Sequence, residues 1–520
     1  MRIPRKFPKN ANMNLTQYEY SNKVLGCWLG KNIGGTVGAP FEWRRQVNDV
    51  SFYVQKDLNG QAMPNDDLDI QLLWLCAMEE MGIDVNSHRL GEYFSMYVTP
   101  HWNEYGTGKI NMRQGLQPPL SGTFRNVFKD SCGSFIRSEI WACIAPGLPQ
   151  VAARYAYEDA VIDHGNGEGT YAEIFMAALE SAAFVISDLR ELIQIGLSYV
   201  PADCGVTKAV HTATECFDKG MTWLEARDEM LRLHRGRSTE WGGRYNISAE
   251  DAAKGFTEGP LGYDVPSNIG LTLIGLLYGG DDFGKVECTA VNCGEDTDCT
   301  AATAGSVWGI IHGAGAVPQK WIEPIGRGIK TVCLNLGDLG YFGSQLPATV
   351  DNLTDRTIRI GRRVLAKNGV KLATENSANE TRAESLKATD EGRSIWGGVN
   401  GPRYDFDFFS VHVDYGSDGP VIRNGQPKMV TVTIQNRYKA QGNLSLHWYL
   451  PEAGWQVSPS ADGYALCLPW PSEKTLKFDY QFTAEHVTRS TNRAVLEITI
   501  EGRPTAMLVP LTLINGNLLQ

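Results

Sequence analysis

Hydrophobic and polar positions follow two different rhythms along this chain, and the change falls near residue 370. Up to about Val364, apolar residues recur at three- and four-residue spacing, the period of a helix face. In Tyr171–Val185 the run Tyr171, Ile174, Ala178, Leu179, Ala182 and Val185 marks such a face, and its many alanines permit close helix–helix approach. The pattern predicts helices over Tyr171–Leu192 and Ala301–Ile311, among others. Residues 367–394 are polar with few large apolar groups, which suits a linker or an exposed excursion. Beyond Trp396 the period becomes two: Val430–Ile434, Leu444–Trp448 and Val495–Ile500 alternate like half-buried strands. Asn424-Gly425, Asp462-Gly463 and Glu501-Gly502 supply turn signals between them. The predicted architecture is a large all-α domain (15–366), a polar linker (367–395) and a small immunoglobulin-like antiparallel β-sandwich (396–520).

Composition narrows the picture. At 520 residues the chain exceeds the size at which one core stops growing, roughly 250–300 residues, so more than one domain is expected. Apolar residues at 42% and charged residues at 21% exclude wholesale disorder. The 55 glycines show no Gly-X-Y period and point to tight turns and close backbone contacts. A balance of 48 basic to 59 acidic residues, net −11, argues against a nucleic-acid partner held by phosphate contacts. No apolar run reaches the roughly 18–20 residues of a membrane span, so no membrane partner is expected. The basic start, Met1–Asn14, has no apolar stretch behind it, so no signal peptide is expected. The eleven cysteines are scattered and form no CxxC pair. Cys288, Cys293 and Cys299 have the wrong spacing for structural zinc. Reduced, mostly buried thiols in a cytoplasmic protein are expected, and no partner protein is implied.

Two acidic clusters stand far apart in sequence. Asn65-Asp66-Asp67-Leu68-Asp69 precedes the apolar stretch Ile70–Met78, and Gly294-Glu295-Asp296-Thr297-Asp298-Cys299-Thr300 precedes the Ala- and Gly-rich stretch Ala301–Ile311. Alone, each reads as a helix cap complementing the positive end of the dipole. Together they hold more carboxylates than capping needs, and their repulsion calls for a cation. Oxygen donors without His or Cys spacing match Mg²⁺, Ca²⁺ or Mn²⁺ rather than zinc. The glycines of Gly26–Glu42 have neither the GxxxxGK[ST] nor the GxGxxG spacing of a phosphate loop. Close helix packing and a turn at Ala39-Pro40 is the competing reading. Cys132–Arg137 offers Gly and Ser amides beside an Arg for an anion, and Asp163–Tyr171 is a Gly-rich polar loop before a helix. Trp448, Trp455 and Trp470 read as core residues of the β-domain rather than a sugar-stacking platform.

These five segments, in this order, resemble the ADP-ribosylglycohydrolase family, which also contains crystallins. Ile33–Glu42 is similar to its opening GxxxGDAxGxxxE motif, Asn65–Leu68 to its TDDT motif, and Gly133–Arg137 to its Gly/Ser loop with Arg. His164–Ala178 matches the His-containing loop before an Ala-rich helix. Gly294–Ala302, continuing through Gly305, Gly309, Gly313, Pro318 and Trp321, matches the closing motif.

The resemblance covers roughly residues 20–350 and implies two Mg²⁺ ions in a central cleft, with Mn²⁺ or Ca²⁺ as alternatives. It assigns Asp66 and Asp67 as ligands, with Asn65 where the family usually has Thr, and Asp296 and Asp298 from the closing motif. The family's Thr ligand falls on Cys299, a poor ligand for Mg²⁺, leaving Thr300 or Asp69 to compensate. The family's Asp after the first glycine is Gly35. Glu42 and Asp69 are the general acid/base candidates. Gly133, Ser134, Arg137, His164, Asn166 and Glu168 are the substrate-binding candidates. Asn111–Gly122 and Trp241–Tyr245 read as cleft-lining loops.

The expected function is metal-dependent hydrolysis of the ribosyl bond of an ADP-ribosylated protein or small molecule, through an oxocarbenium-like transition state. Hydrolysis of another ribosyl or furanosyl glycoside, suggested by the β-domain and the altered motifs, is the alternative. A silent binding protein is the third reading.

Overall fold

The computed structural model describes residues 11–519 apart from 43, 236–248, 250–252, 254–263, 335–344, 375–380, 398–399, 439 and 471–473. The Trp241–Tyr245 loop lies outside the described residues. Two compact units form. One holds the chain up to Tyr105, Val127–Ala160 and Gly167–Trp396, and the other holds Gly106–Asn126, Val161–Asn166 and Gly397–Gln520.

The first unit is helical, and its centre is a pair of helices, Gln17–Gly38 and Thr297–His312. The former starts at Thr16, whose hydroxyl accepts from the Glu19 amide at 3.2 Å while the Glu19 carboxylate accepts from the Thr16 amide at 2.8 Å. Along it, glycine recurs every fourth residue and so lines one ridge. A Cβ placed on Gly26, Gly30, Gly34 or Gly38 would stand 2.3, 2.1, 2.5 or 2.4 Å from backbone atoms of Gly309, Gly305, Ala301 or Asp298. No side chain fits at those distances. The two helices touch backbone to backbone and run antiparallel, so the end of the first meets the start of the second. The glycines therefore serve close packing, and Ala39–Phe41 turns off the helix as a short 3₁₀ segment.

The stretch Tyr171–Leu192, expected as one helix, is two: Glu168–Ala183 and Leu189–Leu197. Asp188 starts the second by accepting from the Glu191 amide at 2.9 Å, a local cap stronger than the apolar periodicity that spans the break. In the polar segment, Val370–Ala373 pairs in parallel with Ala11–Thr16. Leu386 is buried there, and its carbonyl accepts from the Tyr199 hydroxyl at 2.9 Å.

The second unit is a β-sandwich of two five-stranded sheets. One runs in the order Arg403–Asp405, Phe409–Asp414, Lys428–Asn436, Thr475–Ala484, Trp455–Ser458. The other runs Val421–Ile422, Ala506–Asn515, Thr491–Ile500, Gly442–Tyr449, Asp462–Cys467. Pairing is antiparallel except where Val421–Ile422 joins Ala506–Asn515. Alternate residues such as Val432, Ile434, Leu446, Leu496 and Phe482 fill the core. Trp448 and Trp455 join them, but Trp470 is 60% exposed, contrary to expectation. Asp462-Gly463 opens a strand rather than making a turn, because its register against Leu446 and His447 satisfies its backbone.

Asn111–Gly122, expected as a cleft loop, packs into this unit. Leu116 and Leu120 are buried in the sandwich core, and the Thr512 hydroxyl donates to the Gly115 carbonyl at 2.9 Å. Two apolar anchors in an otherwise polar segment drive that placement. All eleven cysteines are free and buried. Among the described residues, no helix is long and apolar enough to cross a membrane.

Candidate metal and active site

Both acidic clusters sit at helix starts inside the first unit. The Asp66–Met81 helix begins at Asn65, whose Oδ1 accepts from the Asp67 amide at 2.7 Å. The helix is buried from Asp67 to Met78, so its first turn points inward. The second start is shaped by Gly294 and Glu295, with φ of 74° and 66°. A non-glycine residue in that region needs outside support. Glu295 receives it from Arg45, whose Nε lies 3.3 Å from its carboxylate, and from Arg235. The Asp296 amide then donates to Asn268 Oδ1 at 3.2 Å, and the Thr297 hydroxyl donates to the Gly38 carbonyl at 2.8 Å. That last bond ties the Thr297–His312 helix to the end of the glycine helix and sets Glu42 beside the second cluster.

Two triads result. Donor atoms of Glu42, Asp296 and Asp298 lie within 4.8 Å of one another, as do those of Asp67, Asp298 and Cys299. Asp298 belongs to both. Asp296 and Asp298 are only 3% and 5% exposed, and one oxygen of each (Oδ1) is buried without a hydrogen-bond partner. Asp67 is compensated differently. Lys31 Nζ, itself buried, lies 3.2 Å from Asp67 Oδ2 and 2.8 Å from Glu139 Oε1, and the Cys299 thiol donates to Asp67 Oδ1 at 3.4 Å. The Tyr105 hydroxyl donates to Asp66 Oδ2 at 3.1 Å.

The electrostatics follow from burial and crowding. Burial first, then the charges of Asp296, Asp66 and Asp67, pushes Glu42 up to about 9. Burial and then Asp67 push Asp296 to about 7 and Asp66 to about 6. Burial, with Glu42 and Asp296 next, raises Asp298 well above the usual carboxylate range. Left to themselves these groups hold protons, because buried like charges cannot all ionise. A hard divalent cation reverses that preference, and the orphaned Asp296 and Asp298 oxygens are the donors it needs. The residues therefore fit such an ion.

The other expected site residues have local duties. Asn65 spends its Oδ1 on the helix cap. Its Nδ2 fills the space over Gly35, where a Cβ would come within 2.2 Å of it. Asp69 is buried, and its Oδ2 accepts from the Val332 and Cys333 amides at 2.6 Å each. Burial still holds its carboxyl at about 8 against those bonds. The Thr300 hydroxyl donates to the Thr297 carbonyl at 3.3 Å.

Gly133 leaves no room for a side chain, since a Cβ would stand 2.0 Å from Glu104 Oε1. Ser134 donates to the Gly169 carbonyl at 2.7 Å. Arg137 is fully buried, 2.9 Å from Asp159 and donating to the Gly133 carbonyl at 2.9 Å. Glu168 accepts from the Gly205 and Val206 amides at 2.8 and 2.9 Å and so caps the Gly205–Asp218 helix. His164 and Asn166 belong to the second unit, where the His164 ring nitrogen Nδ1 is 2.8 Å from Asp163.

Sequence reasoning missed Lys31, Glu139 and Tyr105. Lys31 carried a readable signal: a cation in the Gly-rich, largely apolar half of its helix calls for a buried acidic partner. Glu139 and Tyr105 carried none, since only the fold brings them near the clusters.

A family model described as ADP-ribosylglycohydrolase matches residues 16–357. No curated protein matches the chain. Among solved structures, the seventh PapD-like domain of human CEP192 aligns at 11% identity over 22% of this chain and 89% of its own, with a TM-score of 0.15. The Pseudomonas fluorescens alkylpurine DNA glycosylase AlkC, bound to DNA containing an abasic site analogue, aligns at 12% identity over 87% of this chain and 100% of its own, with a TM-score of 0.14. Neither of these two likenesses is close enough to bear on fold or function.

Proposed function

Because the chain belongs to the ADP-ribosylglycohydrolase family, we propose that it hydrolyses the glycosidic bond of an ADP-ribosylated protein or small molecule with the help of Mg²⁺. The observation that carries this reading is the convergence of Glu42, Asp296 and Asp298, two of them buried with orphaned oxygens, on one point. Asp66, Asp67, Asp296 and Asp298 would hold the ion or ions, joined by one oxygen of Glu42, with Mn²⁺ or Ca²⁺ as chemically acceptable substitutes. When bound, the cation supplies charge compensation and a template on which ribose hydroxyls and a water are oriented.

Glu42 is the better candidate for moving the proton. It is only half-buried and sits on the turn after the glycine helix, so it reaches both the acidic cluster and solvent. Asp69 is fully buried with one oxygen committed to two amides, which makes it a positioning group for the Val332–Cys333 segment. With its neighbours neutralised, Glu42 ionises and accepts a proton from the attacking water as the ribosyl–acceptor bond breaks, and the acceptor leaves with a proton taken from solvent. Arg137, paired with Asp159, is a structural support for the Gly133–Arg137 loop.

The test is release of free ADP-ribose from ADP-ribosylated protein and from small ADP-ribosyl conjugates, with Mg²⁺ and with chelator. Release that needs Mg²⁺ and disappears in Glu42→Gln and Asp296→Ala is expected. Turnover of simple furanosides or nucleosides in place of ADP-ribosyl conjugates would overturn the substrate assignment. Release unaffected by chelator would overturn the metal.

A further inference from the structure

The two triads differ in chemistry. Glu42, Asp296 and Asp298 offer oxygen alone, whereas Asp67, Asp298 and Cys299 offer two oxygens and a sulfur. We propose that Asp67, Asp298 and Cys299 form a second cation position that selects a thiophilic divalent ion, of the Zn²⁺, Co²⁺ or Fe²⁺ class, over Mg²⁺. This rests on the metal reading above and deepens it: the centre becomes a mixed pair, with a hard ion on Glu42, Asp296 and Asp298 and a softer one beside it.

Three observations carry the assignment. First, the sulfur is aimed. The Cys299 thiol donates to Asp67 Oδ1 at 3.4 Å, so an ion replacing that proton would meet Asp67 and the sulfur together. The thiol proton leaves to solvent as the metal–sulfur bond forms. Second, the shared ligand is available. Asp298 is 5% exposed and its Oδ1 has no hydrogen-bond partner, a state that invites a cation. Third, this position offers less negative charge than the oxygen-only one, and the Thr300 hydroxyl turns away from it to the Thr297 carbonyl. Lys31 already lies against Asp67 Oδ2, which lowers the negative charge this position can offer. An ion that gains from covalency with sulfur tolerates that loss, whereas Mg²⁺, which binds by charge and demands six oxygens, does not. Three protein donors is also the count of a catalytic transition-metal site.

The test is Co²⁺ titration of the full chain, followed by absorption spectroscopy and calorimetric stoichiometry, so the result does not depend on turnover. The expected result is a sulfur-to-cobalt charge-transfer band that Zn²⁺ displaces and excess Mg²⁺ does not. Cys299→Ser and Cys299→Thr, each checked for native circular dichroism, should abolish the band and weaken Co²⁺ at this position at least ~10-fold while the oxygen-only position still binds. Co²⁺ binding without the band would overturn the proposal. So would a band that survives in both variants, which would implicate another thiol such as Cys132 beside Asp296, or one that Mg²⁺ removes as readily as Zn²⁺. A failed ADP-ribose assay with the band intact would refute the substrate and leave the metal position standing.

Discussion

Replacing Gly30 by Ala probes the device that assembles the site. The new Cβ would stand 2.1 Å from the Gly305 oxygen and 2.3 Å from its carbonyl carbon, where ordinary contact begins at 3.4 Å. Both opposing atoms are backbone, so no side chain can step aside and the two helices must part by about 1 Å. Alanine is the better helix former by about 1 kcal/mol, which opposes the effect. Overpacking of this kind costs about 1–3 kcal/mol, and a backbone clash belongs at the upper end. The expected net loss is therefore about 1–2 kcal/mol, read as a lower urea midpoint at unchanged slope. The separation also propagates along the ridge. Gly38 touches Asp298 in the same way, and Glu42 follows on the next turn, so the Glu42–Asp296–Asp298 triad opens. Calorimetric Mg²⁺ affinity should fall at least ~10-fold, as it does when groups that orient ligands are lost. Gly328→Ala, where the added Cβ meets nothing within 4 Å, should change neither quantity. A Gly30→Ala protein with an unchanged or higher midpoint and normal Mg²⁺ binding would refute the reasoning.

Asp298→Asn should abolish Mg²⁺ binding and make the stability of the metal-free protein less dependent on pH, because it removes one ionisable group from the buried carboxyl cluster; differential scanning calorimetry in chelator across pH decides it. Lys31→Met should destabilise by about 3–5 kcal/mol, since it leaves Asp67 and Glu139 buried without their cation; denaturation of the double variant Lys31→Met/Glu139→Gln should recover part of that loss. Without metal, stability should fall as pH rises from about 4 to about 9. Asp66, Asp296 and Glu42 are raised to about 6, 7 and 9, so the folded chain binds more protons than the unfolded chain across that window. Saturating Mg²⁺ should flatten the profile above pH 7, and a metal-free melting temperature that climbs from pH 5 to pH 8 would contradict the assigned crowding.

Several features were legible in the residues themselves because they depend on local rules. The change of apolar period from three-and-four to two reports which backbone geometry can bury one face, and it separated the helical part from the strands of Lys428–Asn436, Gly442–Tyr449 and Thr491–Ile500. Carboxylates stacked at Asn65–Asp69 and Glu295–Asp298, immediately before apolar helices, announced helix starts with more charge than capping uses. Local rules also misled where a cap or register outweighed the pattern, as at Asp188 and Asp462.

What the tertiary structure decided is which of these groups meet. Glu42 reaches Asp296 and Asp298 because four glycines from Gly26 to Gly38 let two backbones touch, a contact that neither helix specifies alone. Arg137, Glu168 and Asp69 all looked like groups for a ligand, and the fold gives each a protein partner: Asp159, the start of the Gly205–Asp218 helix, and, for one Asp69 oxygen, the Val332 and Cys333 amides. Charge and hydrogen-bonding capacity are properties of a residue. Whether they are free for chemistry depends on what the fold buries them against, and a linear sequence carries no record of that.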